Sequence, residues 1–477
     1  MAINAFFSQS LGVLTVFGDN ANNTIALGQT AAGDLLVNGG AVQILGGKAR
    51  AADARHIFLV GFGGDDTLKI DESQGKIAAT TFFLGGDGND TMIGGSAVEW
   101  FYGGHGHDFV DGNGGNDIAF LGAGDDTFVW DPGDGSDRIE GGAGLDTMVF
   151  NGSNGDEIFD LSANGDRLKF FRNLGNIVMD TDDVERVNVN ALGGKDTITI
   201  NNLATTDVRE VNLSLESLAG NGVGDTQLDQ VIVNGSNEAD TIAALTENNL
   251  YKITGLAATV QVVGSEATDT LRINALGGND RVDATNLAAA SVALTLDGGA
   301  GDDILFGGAG KDIMFGGDGN DFMNGRRGDD VAFMGAGDDV FEWNPGEGSD
   351  VVEGQAGLDK MLFNGANVSE TFDFSANAGR VRFFRNVANI TMDLDDVEQV
   401  DLNALGGSDT VTINNLAGTD LTQINLNLAA LGGGGDGQLD NVIIVGTNGE
   451  DAVVATANNN VISVTGLFAN VTIVGAE

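Results

Sequence analysis

A nine-residue repeat of the form Gly-Gly-x-Gly-x-Asp-x-apolar-x constrains this chain more than any other feature. The first array opens with Gly85-Gly86-Asp87-Gly88-Asn89-Asp90-Thr91-Met92-Ile93. In the second, three copies follow without a gap: Gly298 to Phe306, Gly307 to Phe315 and Gly316 to Asn324. A unit this short cannot bury a core of its own, so each copy must stack on its neighbours. Stacking then sets every sixth residue, a carboxylate, in register along a row of turns.

The arrays belong to a longer duplication. Trp130-Asp131-Pro132-Gly133 returns as Trp343-Asn344-Pro345-Gly346, and Phe170-Phe171-Arg172-Asn173 as Phe383-Phe384-Arg385-Asn386. Ala191-Leu192-Gly193-Gly194 likewise returns as Ala404-Leu405-Gly406-Gly407, and all three pairs share one offset of 213 residues. The stretch Asn234–Glu266 recurs from Val445 onward. The chain therefore divides into a first copy over 1–233, a second over 234–444, and the opening rungs of a third over 445–477. The strict repeats occupy about 85–149 and 298–363.

Between the arrays, Val187-Asn188-Val189-Asn190-Ala191 and Thr197-Ile198-Thr199-Ile200 alternate apolar and polar residues around a Gly-Gly-Lys-Asp turn. That is strand, turn, strand. Helix signals are scarce. The expected fold is all-β, a solenoid of short parallel strands. The insertions at Trp130-Asp131 and Trp343-Asn344 should bulge from the coil.

Charge narrows the function. With 70 acidic against 22 basic residues the formal net charge is −48, which excludes nucleic-acid binding through phosphate neutralisation. Such a chain repels itself unless cations neutralise it. There is no cysteine, hence no disulfide and no thiolate metal site. No apolar run reaches the length of a membrane span. No basic segment precedes Lys48, so a cleaved N-terminal export signal is not expected. No catalytic constellation emerges, and the expectation is a non-enzyme.

The repeat itself suits calcium. Glycines reach backbone angles closed to other residues and turn carbonyls inward. Calcium takes six to eight oxygens from carboxylates and carbonyls. In Gly316 to Asn324 the turn offers carbonyls, Asp321 a carboxylate, and Met323 points to the core.

These motifs resemble the RTX (repeats-in-toxin, haemolysin-type) family of calcium-binding repeats. The resemblance implies a right-handed parallel β-roll or β-solenoid, two nonapeptides to a coil, with multiple Ca2+ ions held between turns of successive coils. On that pattern the bridging carboxylates are Asp90, Asp108, Asp117, Asp126, Asp137 and Asp146 in the first array. In the second they are Asp303, Asp312, Asp321, Asp330, Asp339, Asp350 and Asp359. Gly86, Gly88, Gly299, Gly301, Gly308, Gly310, Gly317 and Gly319 are the matching turn glycines. The resemblance also implies secretion by a one-step type I route, although the tail from Val461 to Glu477 shows no clear export signal.

Some positions depart from the pattern. The rung Gly94 to Tyr102 has lost its third glycine and its aspartate, so the first array is expected to hold fewer ions. Arg326-Arg327 replace usual turn residues and should weaken their site. His105 and His107 read as exposed turn residues rather than a zinc site. Trp100-Phe101-Tyr102 reads as packing of a degenerate rung, with a glycan-stacking patch as the alternative. Phe170-Phe171-Arg172 and Phe383-Phe384-Arg385 are candidates for a duplicated interface. Asp180, Asp182 and Asp183, echoed by Asp393, Asp395 and Asp396, read as solvated loop carboxylates.

The function expected is a calcium-binding extracellular structural protein that folds on calcium and self-assembles at the cell surface as a filament, surface layer (S-layer) or matrix. The bare-looking strands Leu11 to Val16 and Val471 to Val474 motivate end-to-end self-association through open solenoid edges. A calcium-dependent adhesin that recognises a surface polysaccharide is the alternative, and an accessory of a polysaccharide-modifying enzyme a weaker one.

Overall fold

Alternation of apolar and polar residues every second position dictates strands with one face buried, and that is how the chain folds. The computed structural model describes residues 3–248, 250–435 and 437–476; the far ends of both terminal readings, Met1 and Glu477, lie outside them. The contacts divide the chain into two compact units, one running to Val231 and including Leu256–Ser265, the other Ile232–Gly255 with the residues from Glu266 onward.

In the first unit the chain winds between two parallel sheets. One contains His56–Gly63, Thr80–Asp87, Glu99–His105, Ile118–Ala123 and Arg138–Ala143. The other contains Thr67–Asp71, Thr91–Ile93, Phe109–Asp111, Thr127–Trp130, Thr147–Ser153 and Arg186–Leu192. The second unit repeats this plan. Ala293–Ala300, Ile313–Asp318, Val331–Ala336 and Val351–Ala356 lie in one sheet. Ile304–Phe306, Phe322–Asn324, Val340–Trp343 and Lys360–Asn364 lie in the other. This is the all-β parallel roll that the repeat period predicts. The alternate residues Met92, Val110, Phe128 and Met148 in the first unit are buried, as are Leu305, Met323, Phe341 and Met361 in the second.

The turn Asp131–Gly133 is exposed, so the insertion does leave the coil. Its tryptophan does not. Trp130 is fully buried and stacks on Phe150 at 4.0 Å, and its Nε1–H donates to the Gly135 carbonyl at 2.7 Å. Trp343 stacks on Phe363 at 4.1 Å in the same way.

Three findings correct the sequence expectations. First, the strands are not all parallel. Ile158–Asn164, Arg167–Arg172 and Ile177–Asp182 form an antiparallel excursion, and Thr371–Asn377, Arg380–Arg385 and Ile390–Asp395 form its counterpart. The tight turns at Gly165 and Gly379, both with positive φ, reverse the chain there. Second, neither strand read as bare is an open edge: Asn470–Val474 pairs with Gln423–Asn427 and Val461–Thr465 and buries Val471, and Val13–Phe17 is likewise paired. It pairs antiparallel with Asn4–Ser8 and parallel with His56–Gly63, and Leu14 and Val16 are fully buried. Third, Phe-Phe-Arg is only in part a surface: Phe171 and Phe384 are half-buried on the outward face, and the other two residues are not. Phe170 and Phe383 are buried in the core, and Arg172 and Arg385 are only 5% and 2% exposed.

At the other extreme, Val454–Asn458 is exposed along its length, with Val453 and Val454 about half exposed. The matching strand Thr241–Glu247 has Ile242 fully buried, because Arg281–Asn286 pairs alongside it.

Candidate metal centre

The coil period brings the sixth residues of the repeats together. In the first unit the backbone N–H of Asp90 donates to Asp108 Oδ1 at 2.8 Å, that of Asp108 to Asp126 Oδ1 at 2.7 Å, and that of Asp126 to Asp146 Oδ1 at 2.9 Å. At the opposite edge the N–H of Asp117 donates to Asp137 Oδ1 at 2.8 Å. In the second unit Asp303, Asp321, Asp339 and Asp359 form one such row. Asp312, Asp330 and Asp350 form the other. Every carboxylate singled out from sequence therefore stands in a row.

Apart from Asp312 and Asp350, each aspartate singled out from sequence uses one carboxylate oxygen and leaves the other. Oδ2 of Asp90, Asp108, Asp117, Asp126, Asp137 and Asp146 is buried without a hydrogen-bond partner, as is Oδ2 of Asp303, Asp321, Asp330, Asp339 and Asp359. Asp312 differs, its Oδ2 accepting the Gly308 N–H at 2.5 Å. An unpaired buried carboxylate oxygen is costly. The free oxygens share their space with carbonyls of the next coil. A Cβ at Gly85 would collide with both Asp90 Oδ2 and the Gly103 carbonyl, and one at Gly316 with Asp321 Oδ2 and the Met334 carbonyl. A carboxylate oxygen and a carbonyl converging where only glycine fits make the hard oxygen donor set that suits calcium.

Electrostatics agree. Burial pushes the carboxyl of Asp90 up to about 7, of Asp117 to about 9 and of Asp137 to about 7. In the second unit Asp303 rises to about 7 and Asp330 to about 8 for the same cause. Like charges in the same row add to the rise, so these sites disfavour ionisation until a cation enters.

The turn glycines are not all alike in backbone. Gly86, Gly88, Gly299, Gly301, Gly317 and Gly319 take positive φ, between 98° and 134°. Gly308 and Gly310, in one rung of the other edge, do not, although Arg326 and Gly328, their equivalents in the next rung there, do, at 67° and 140°.

The rows also contain residues that the repeat motif did not pick out. Asp66 precedes Asp90 and Asp280 precedes Asp303, each with its Oδ1 engaged and its Oδ2 buried and unpartnered. Glu185 and Glu398 follow, accepting the N–H of Asp146 and of Asp359, both at 2.8 Å. Asp196 forms the same ladder with Glu157 and Asp229. The signal was a Gly-Gly-x-Asp turn without the leading glycine pair. The rung Gly94 to Tyr102 is also corrected: Glu99 supplies the carboxylate. It is fully buried, its N–H donates to Asp117 Oδ1 at 2.7 Å, and its Oε1 is unpartnered.

Arg326 leaves Asp330 in its row and lies 4.5 Å from the Phe306 ring. His107 is exposed, and its Nδ1 accepts the Asp125 N–H at 2.8 Å within a ladder of fifth-position residues. Outside the rows, Asp182, Asp183 and Asp207 bring their oxygens together, as do Asp395, Asp396 and Asp420. Arg167 bonds Asp180 and Asp182, and Arg380 bonds Asp393 and Asp395.

Trp100 and Tyr102 stack on Phe120, at 6.3 and 5.2 Å, and Trp100 also on Phe82.

A family model described as RTX calcium-binding nonapeptide repeat (4 copies) matches residues 82–97, 93–128, 132–168, 295–323 and 310–341. The chain carries RTX calcium-binding repeats. These matches take in the unpaired Oδ2 atoms from Asp90 to Asp146 and from Asp303 to Asp339, and leave those of Asp66, Asp196, Asp280 and Asp359 outside. No curated protein matches the chain. Among solved structures, the extracellular lipase LipA from Serratia marcescens is 14% identical with a TM-score of 0.17, aligned over 88% of this chain and 43% of the lipase. The chain thus spans less than half of that protein, and so low a TM-score supports no inference from it. No helix among the described residues is long and apolar enough to cross a membrane.

Proposed function

We propose that the carboxylate rows hold calcium ions between coils and that calcium binding drives folding of an extracellular structural protein. The observation that carries this is the buried, unpartnered Oδ2 repeated on successive coils beside a carbonyl of the next. The thirteen aspartates singled out from sequence would be ligands, joined by Glu99, Asp66 and Asp280. With a net charge of −48, the chain would stay expanded where calcium is scarce and close where it is abundant. RTX repeat proteins are typically secreted, and that setting would supply the ion.

Self-association is the further part of the proposal. Association of copies would give a surface layer, filament or matrix, and the capped strand Val13–Phe17 disfavours two-ended stacking.

A calcium titration of chelator-treated protein tests both parts, read by circular dichroism and by sedimentation and electron microscopy of the same samples. Coil-to-β conversion with assemblies is expected. Conversion with monomers alone removes the structural role, and no conversion removes calcium-driven folding.

A further inference from the structure

We infer that Arg172 and Arg385 are resident counter-cations that stand in the carboxylate rows where a calcium ion would otherwise sit, and so set where each row of ions is interrupted; this rests on the calcium reading above. Glu157 occupies the sixth position of Gly152-Ser153-Asn154-Gly155-Asp156-Glu157 and donates its N–H to the next coil as the row aspartates do. Its N–H donates to Asp196 Oδ1 at 2.8 Å, its Oε2 accepts the Ser153 N–H at 2.7 Å, and it is buried. At Asp117, Asp137 and Asp196 the second oxygen is unpartnered. At Glu157 the oxygen beside the Ala191 carbonyl, Oε2, takes the Ser153 N–H, and the other, Oε1, receives Nε and Nη2 of Arg172.

The antiparallel excursion delivers that arginine. Phe159 lies opposite Arg172, so the end of one strand falls beside the start of the other, next to Glu157. The guanidinium is held on three sides. Besides the carboxylate, Nη1 donates to the Leu174 carbonyl at 3.1 Å, and the group lies 5.3 Å from the Trp130 ring centroid. The second unit repeats the arrangement. Glu370 donates its N–H to Asp409 Oδ1 at 2.8 Å, Arg385 bonds Glu370 Oε1, and Arg385 lies 5.3 Å from the Trp343 ring.

Glutamate alone does not explain the difference. Glu99 holds the same place in its rung, buried, yet its Oε1 has no partner. The arginine is what changes. A planar guanidinium satisfies a carboxylate directly and is always charged. It fills the space that a six- to eight-coordinate ion requires and repels a second cation there. These rungs therefore need no calcium to neutralise Glu157 and Glu370.

The test is a crystal structure of the unvaried calcium-loaded protein with calcium anomalous scattering, together with an ion count per chain for Arg172→Gln and Arg172→Gln/Arg385→Gln. The expected result is ions along the rows and none on Glu157 or Glu370, with one more ion bound in the single variant and two more in the double. An ion on Glu157 with Arg172 intact would overturn the inference while leaving the calcium reading in place. So would a folded single variant with an unchanged count. If the variants fail to fold even in calcium, the unvaried crystal decides. If that crystal holds no ions at all, the calcium reading itself falls.

Discussion

The backbone N–H of Asp90 donates to Asp108 Oδ1 at 2.8 Å, which leaves Asp108 Oδ2 buried with no partner of its own. One aspartate thus does two jobs: it splices two coils together and presents a free oxygen. These jobs separate under mutation.

Asp108→Asn keeps an oxygen acceptor for the Asp90 N–H but removes the charge. The metal-free chain should lose little, and calcium affinity at the adjoining sites should fall about tenfold or more, the loss of a charge-assisted contact costing roughly 1.5–3 kcal/mol. Asp108→Ala should lose both. Calcium titration and chelator-state melting of the two variants separate the effects; identical behaviour would mean that Oδ2 binds nothing.

The row carboxyls should make stability depend on pH in opposite senses with and without calcium. Burial holds Asp117 at about 9, Asp330 at about 8 and Asp90 at about 7 when no ion is bound. A raised carboxyl pKa adds stability that is full below the unfolded value of about 3.9 and is lost as pH rises through the folded value. In chelator, melting temperature should therefore fall between pH 6 and pH 9. In calcium, protons compete with the ion, so the calcium midpoint should rise as pH falls through the same window. A metal-free chain whose stability rises with pH there would refute the assignment.

Glycine substitutions should divide by what the new methyl meets. At Gly103 a Cβ strikes Asp108 Oδ2 and the Leu121 carbonyl, so Gly103→Ala should cost on the order of 3 kcal/mol and weaken calcium binding. At Gly165, with φ +74° and nothing within 4 Å, Gly165→Ala should cost only about 1–2 kcal/mol of left-handed strain, with calcium binding unchanged. Chemical denaturation in saturating calcium measures both.

Two tryptophans should behave differently. Trp130→Ala removes a buried ring stacked on Phe150 and beneath Arg172, and should cost about 3–5 kcal/mol. Trp100→Ala alters the outer face and should cost less, with no change in the calcium midpoint.

Much of the fold was legible from local chemistry. A period of nine with glycine at the turns and apolar residues at alternate strand positions admits little but stacked coils, and Met92, Met323 and Phe128 lie in the core as their spacing predicts. The sixth-position aspartates were legible for the same reason: identical units in register must place identical atoms in rows. Glu99, Asp66 and Asp280 were missed because a carboxylate can keep its place after the flanking glycines have changed. Backbone register puts it there, and register is set by neighbouring coils.

The sequence by itself determined the repeat, the charge that must be neutralised, and the kind of ligand that would neutralise it. The tertiary structure alone decided which oxygen of an aspartate such as Asp108 or Asp146 stays free, because the N–H that takes the other lies 18 or 20 residues away on the preceding coil. It also decided that Arg172 faces Glu157 rather than solvent. Alternation within a strand tells which residues share a face. Only the reversal at Gly165 brings that face back, antiparallel, into the row of carboxylates.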